Sequence, residues 1–199
     1  MYVPDANTSA KTTRFQKSIR QLLAAGRREG VTVFNKRLSD SKIADIAASI
    51  SEALEERKYR PAVLAIIRNS RGHILFVQSA KNLSEWYLPQ GGIEQNETFV
   101  SALHRELFEE LGIVSAAVEI EHYKGSHDLD AEIERKDTRM FSRGKRYFAF
   151  TLRYSGPDDL RFDPEEIASF RWAAPECAAR VLETSRPEKK YLLLKFLDG

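Results

Sequence analysis

Residues 91–113 read GGIEQNETFVSALHRELFEELGI, and the second half of this stretch sets a problem in electrostatics. Glu106, Glu109 and Glu110 crowd into about one and a half turns if the segment is helical. It reads as a helix over Glu97–Leu111, because Phe99, Leu103, Leu107 and Leu111 recur at helical spacing. Gly112 then ends it as a left-handed cap. Like charges three and four residues apart repel on such a surface. A Glu-rich helix face is ordinarily just solvated. Upstream, however, two glycines follow Pro89 and Gln90, and paired glycines are costly unless the backbone turns sharply or something must come close. Carboxylates and backbone carbonyls are hard oxygen donors, suited to Mg²⁺ or Mn²⁺. A divalent cation would cancel the repulsion, and without it the three carboxylates are expected to be strained and mobile.

Working outward, the segments around this helix change period. Ala62–Arg68 (AVLAIIR) is an unbroken apolar run, as expected of a strand buried on both faces. Asn69-Ser70-Arg71-Gly72 is turn chemistry, and Ile74–Val77 returns as a second strand, making a hairpin. Trp86–Leu88 is a short strand stopped by Pro89. Val118–Tyr123, Tyr147–Tyr154 and Ser169–Ala173 are further strands, the first two flanking a long polar stretch from Lys124 to Arg146. Arg180–Leu182 and Lys189–Leu197 read as helical. Strands and helices are mixed without strict alternation, so the class is α/β with a mixed sheet.

The front of the chain differs. Phe15, Ile19, Leu22 and Leu23 form one amphipathic stripe, and Ile43, Ile46, Ile50 and Leu54 a second, capped by Ser39 or Asp40. VTVFNKRL between them is a strand or an irregular link. Tyr59-Arg60-Pro61 marks the boundary, since the residue before proline disfavours helix. Residues 1–58 are therefore read as an N-terminal helical extension, with 11 Lys+Arg against 7 Asp+Glu. Residues 59–199 carry 20 against 22 and form the main domain. Two apolar stripes in so small a unit need a surface to bury, and a homodimer contact or a cap over the site is the expectation. DNA binding is disfavoured by the small basic excess.

The single cysteine, Cys177, allows no intrachain disulfide and is read as a structural thiol. No apolar run approaches the about 20 residues that span a bilayer, so no membrane partner is expected. The first residues lack the apolar core of a signal peptide, and a cytoplasmic protein is the expectation.

From Gly91 the stretch fits G-x5-E-x7-R-E-U-x-E-E-x-G-U (U aliphatic) through Gly91, Glu97, Arg105, Glu106, Leu107, Glu109, Glu110, Gly112 and Ile113. In this the chain resembles the Nudix hydrolases. The resemblance implies an α/β/α sandwich around a mixed sheet over residues 59–199, and cleavage of a nucleoside diphosphate linked to another group. It implies that Glu106, Glu109 and Glu110 hold Mg²⁺ or Mn²⁺, with the carbonyl of Gln90 helping. It implies that Arg105 and Glu97 form an internal salt bridge that shapes the loop, and that Glu106 or Glu110 is the general base.

The flanks resemble one subgroup, the bacterial RNA 5′-pyrophosphohydrolases and related dinucleoside tetraphosphate hydrolases. They share Arg60-Pro61 and the W-x-x-P-Q-G-G stretch starting at Trp86. Downstream, Arg143-Gly144-Lys145-Arg146-Tyr147-Phe148 is similar to their basic segment, and Glu166 lies where that subgroup has a further metal-binding glutamate. The resemblance therefore implies that Arg60, Arg143, Lys145, Arg146 and Tyr147 meet a nucleoside polyphosphate or a 5′-triphosphorylated RNA end. Where that subgroup carries arginines after its second strand, this chain has QSAKNLSE with Lys81 alone, which is taken as the remaining substrate contact. An inositol pyrophosphate hydrolase, another nucleoside-diphosphate hydrolase and a nucleotide-sensing regulator stay open. Signatures for ADP-ribose, NADH and coenzyme A substrates are absent.

Overall fold

The computed structural model describes residues 38–130 and 143–198. The chain divides into two compact units, Met1–Asn35 and Lys36–Gly199, and all described residues belong to the second. The helix expected over Phe15–Leu23, and the dimer contact built on it, lie outside the described residues.

Helix α1 (Asp40–Glu56) begins at Ser39, whose Oγ accepts from Lys42 N at 3.3 Å. It ends at Arg57 in the left-handed region. Ile43, Ile46, Ile50 and Ala53 are buried, so Ala53, not Leu54, completes the stripe at the i+3 position. This helix is part of the same compact unit as the sheet.

Among the described residues, seven strands form one mixed sheet. Its centre is β1 (Tyr59–Arg68), where Pro61 through Ile67 are buried in succession. Successive side chains point to opposite faces, so both faces of the sheet are covered. The other strands are β2 (Ile74–Ser79), β3 (Trp86–Tyr87), β4 (Gln90–Gly92), β5 (Val118–Asp130), β6 (Gly144–Tyr154) and β7 (Ile167–Ala173). β6 runs parallel to β1 from Tyr59↔Gly144 to Arg68↔Arg153, and β5 lies antiparallel on its far side.

The hairpin of β1 and β2 forms as expected, and the ladder runs beyond the expected strands in two places. The β1–β2 hairpin opens at once, since its register is the single pair Arg68↔Ile74. The segment from Trp86 to Gly92 fills the fork: β3 pairs with β2, then β4 pairs with β1 at Ala62↔Gly92 to Leu64↔Gln90. Gln90-Gly91-Gly92 is thus a strand and not a sharp turn. The polar stretch after Lys124 is also partly strand, because its charges pair across the ladder, as Asp128 does with Arg146.

Helix α2 (Phe99–Leu111) is capped by Thr98, whose Oγ1 accepts from Ser101 N at 3.1 Å, and stopped by Gly112 at φ 63°. Phe99 stacks on Phe150 of β6 with ring centroids 5.0 Å apart. Leu103, Leu107 and Leu111 are buried. Each such burial stabilises by about 1.5–3 kcal/mol, against a few tenths of a kcal/mol for each repelling glutamate pair, so the apolar face decides that this segment is helical. Two further helices follow β7: the short α3 (Ala178–Val181) and α4 (Pro187–Asp198), which buries Leu192, Leu193 and Phe196. No helix among the described residues is long and apolar enough to cross a membrane.

Candidate active site

Glu106 and Glu109 of α2, and Glu97 just before it, are gathered round one guanidinium. Arg105 Nε and Nη2 donate to the two oxygens of Glu97, both at 2.9 Å. Nη1 donates to Glu106 Oε1 at 2.8 Å and to Glu109 Oε2 at 3.1 Å. Nη2 also donates to the Gly92 carbonyl at 2.9 Å, tying helix to strand β4. Glu97, and after it Glu106 and Glu109, hold the Arg105 pKa above its ordinary value, against the opposing effect of burial. Burial still holds the Glu106 carboxyl above its usual range, with Glu109 and Glu97 adding to it and Arg105 opposing. The strain expected of the bare carboxylates is therefore only partly offset by Arg105.

The paired glycines have a steric reason. A Cβ on Gly91 would lie 1.8 Å from Glu106 Cδ, and one on Gly92 would lie 2.6 Å from Arg60 Nη2. Neither glycine has a positive φ, so what they supply is close approach rather than a turn. Glu106 and Arg60 lie against the flat backbone of β4.

Glu110 stands apart. Burial, with Glu106 and Glu166 nearby, pushes its carboxyl up to about 8. Its Oε2 is buried and has no hydrogen-bond partner, and the same holds for Oε1 of Gln90. An orphaned buried oxygen is expensive unless something completes it. Carboxylate and amide oxygens without partners, beside Glu106, fit a hard divalent cation by donor chemistry. The side chains do not yet enclose an ion: among the described residues no group of three His, Cys, Asp or Glu stands ready to hold one. Arg105 occupies one oxygen each of Glu106 and Glu109, so these two would turn their second oxygens to a metal or release Arg105. Glu166 lies near enough to raise the Glu110 pKa, and its own carboxylate receives Lys81 Nζ at 2.7 and 2.8 Å.

The expected substrate cations separate by strand parity. Lys145 and Tyr147 share one face of β6, and Arg146 points to the other. Lys145 is close enough to lower the Glu110 pKa. Tyr147 is buried, its hydroxyl hydrogen-bonds Gln90, and burial pushes that hydroxyl up to about 12. Arg60 is the register partner of Lys145 and reaches over Gly92, so it belongs to the same wall. Arg146 is instead held by both oxygens of Asp128 at 2.6 and 3.0 Å, with Glu56 3.7 Å away. Arg143 is 3.5 Å from Asp130 and, like Arg146, lies over the Tyr59 ring. These two arginines are not brought to the acidic helix.

Four residues without a role in the sequence reading complete the wall. Tyr87 is buried, and its hydroxyl is raised by burial first and then by Glu110, Glu166 and Glu85. Lys189 of α4 lies 4.3 Å from the Tyr87 ring centroid. Glu85 receives both Arg186 at 3.2 Å and Lys189 at 3.4 Å. In sequence Lys189 belongs to the run PEKK, which reads as a solvated helix start. Trp86 points the other way and carries Arg171 over its ring.

Comparison with known proteins agrees with this fold. The NUDIX domain family matches residues 58–196. The chain is 31% identical over 144 residues to the RNA pyrophosphohydrolase of Erythrobacter litoralis, covering 68% of this chain and 88% of that one. It is 34% identical over 139 residues to the RNA pyrophosphohydrolase of Novosphingobium aromaticivorans, covering 64% and 84%. Among solved structures, the E. coli dihydroneopterin triphosphate pyrophosphohydrolase superposes with a TM-score of 0.55 at 16% identity, over 71% of this chain and 95% of that one, which speaks for the fold alone.

Proposed function

The chain belongs to the Nudix family and is a Nudix hydrolase, and from that premise we propose that it cleaves a phosphoanhydride bond of a nucleoside polyphosphate with the help of Mg²⁺ or Mn²⁺. The observation that carries the metal reading is the buried, partnerless Oε2 of Glu110 beside Glu106. Glu106, Glu109, Glu110 and Glu166 are the proposed ligands, with Gln90 beside them. When bound, the ion neutralises phosphate charge and lowers the pKa of a water at the reacting phosphorus.

The chain's own residues do the rest. Glu110 holds a proton up to about pH 8 in the metal-free protein and becomes a proton acceptor once that proton leaves. Glu106 is the alternative base, already oriented by Arg105. Lys145, which acts on Glu110, and Arg60, its register partner, are the proposed phosphate contacts, and guanidinium forks suit such oxygens. Lys81 is positioned by Glu166 and, as an exposed ammonium with three donors, is the proposed further substrate contact.

A 5′-triphosphorylated RNA end is the preferred substrate of this reading, since the relatives named above are RNA pyrophosphohydrolases. A dinucleoside polyphosphate is second. Turnover with Mg²⁺ should be measured on triphosphorylated RNA, diadenosine tetraphosphate, nucleoside triphosphates, ADP-ribose and inositol pyrophosphates, with product analysis. The RNA end or the dinucleoside polyphosphate is expected to give the highest kcat/KM. A clear preference for ADP-ribose would overturn the assignment.

A further inference from the structure

Lys189 is buried and has no part in the chemistry above. Its side chain is 8% exposed, and its ammonium lies 3.4 Å from Oε1 of Glu85, itself 12% exposed. Arg186 Nε donates to the same oxygen at 3.2 Å. Two cations thus share one carboxylate oxygen. A third, Lys145, is near enough to act against the Lys189 charge, as Arg186 also does. Taking an ammonium out of water costs several kcal/mol, and crowding like charges round it adds to that cost. Stability alone does not account for such a cluster, and a hydrophobic contact would serve α4 as well.

Its position suggests a use. The Lys189 ammonium faces the Tyr87 ring at 4.3 Å, and the hydroxyl of that ring lies in the field of Glu110 and Glu166. Lys145 acts on both Glu110 and Lys189. The cations therefore adjoin the carboxylates, with one aromatic ring between. A polyphosphate that presents one anhydride to the carboxylate side still carries charged phosphates that need partners. We propose that Lys189 and Arg186 form an anion subsite for a substrate phosphate beyond the scissile bond, and that Glu85 is its resident counter-anion, which the incoming phosphate replaces. This inference rests on the reading of the substrate as a polyphosphate.

The test uses the full chain and inorganic tripolyphosphate as probe, by isothermal titration without divalent metal, so that binding is measured apart from turnover. Glu85→Gln removes the competing carboxylate and should tighten binding about tenfold, the worth of one charge-assisted contact. Lys189→Met should weaken it by a similar factor. With Mg²⁺ and a polyphosphate substrate, Lys189→Met should raise KM and leave kcat within about threefold, as loss of uniform binding does. If Glu85→Gln binds no tighter than the wild type, Glu85 is only an anchor for α4 and the subsite is refuted, even if Lys189→Met fails to fold. If Glu85→Gln tightens tripolyphosphate while the wild type hydrolyses no polyphosphate, the subsite stands and the proposed reaction falls.

Discussion

The two charge clusters are near mirror images, and they are built to different tolerances. On α2, carboxylates surround a single arginine, which makes five hydrogen bonds between 2.8 and 3.1 Å, one of them to the backbone of β4. Beside α4, cations surround a single glutamate, which makes two contacts of 3.2 and 3.4 Å through one oxygen. A planar guanidinium fork fixes its partners in direction as well as distance, whereas an ammonium is a point charge on a flexible stem. The carboxylate side should hold its geometry closely. The cation side can give way to a ligand.

Breaking the tight side should cost most. Glu110→Gln removes the buried carboxylate and is expected to lower kcat/KM by about 10³-fold, on the scale of losing one preorganised electrostatic contact, with the thermal midpoint kept or raised. Near wild-type turnover would show that the acidic side is not where the chemistry happens. Gly91→Ala places a methyl where Glu106 now lies and should cost about 10²-fold in kcat through misplacement, with a smaller loss of stability. Full activity there would mean that the close approach of β4 is incidental.

The contrast in tolerance can be measured directly. Arg105→Ala leaves Glu97 and Glu106 without their partner and should destabilise by about 3 kcal/mol in denaturant unfolding. Glu85→Gln leaves the buried Lys189 ammonium without its counter-anion but keeps an amide oxygen beside it, and should cost less, about 2 kcal/mol. Equal costs would erase the distinction between the clusters. The two clusters also differ in how they respond to pH. The folded state raises Glu110 from 4.5 to about 8, so the metal-free protein binds more protons than the unfolded chain in between, and stability is lost as pH rises through that window. Lys189 is lowered from 10.5, so it contributes the opposite slope, stability gained as pH rises towards 10.5. Thermal midpoints measured against pH should lose the first slope in Glu110→Gln and the second in Lys189→Met.

The two sides also differ in how well the sequence announces them. Gly91, Glu97 and Arg105 to Glu110 lie within one short stretch, so one helix and the loop before it bring them together, and their chemistry could be read from spacing. Glu85 and Arg186 are 101 residues apart and meet only because α4 packs back near β3. No local pattern records that. Strand β4 was missed for a different reason: Gln-Gly-Gly has no strand preference, and the ladder on β1 imposes the conformation. Arg146 stands among the expected substrate contacts through the family's basic segment, which says nothing of strand parity. Once β6 begins at Gly144, alternation sends Arg146 to Asp128 and leaves Lys145 facing Glu110. The central strand was legible because seven buried residues in a row leave a pattern that needs no partner to be seen.

The end of α2 carries one more consequence, for where the chain can lengthen. The Arg161 carbonyl packs 2.8 Å from where a Gly112 Cβ would stand, and Asp163 N donates to the Glu110 carbonyl at 2.9 Å. Glu166 N then donates to the Asp163 carbonyl, and the Glu166 carbonyl accepts from Ala80 N. Extra residues between Arg161 and Glu166 would shift Glu166 relative to Glu110, while exposed Asp159 just before is free of that constraint. Sister proteins that keep this fourth carboxylate should therefore vary in length before Arg161 and hardly at all after it.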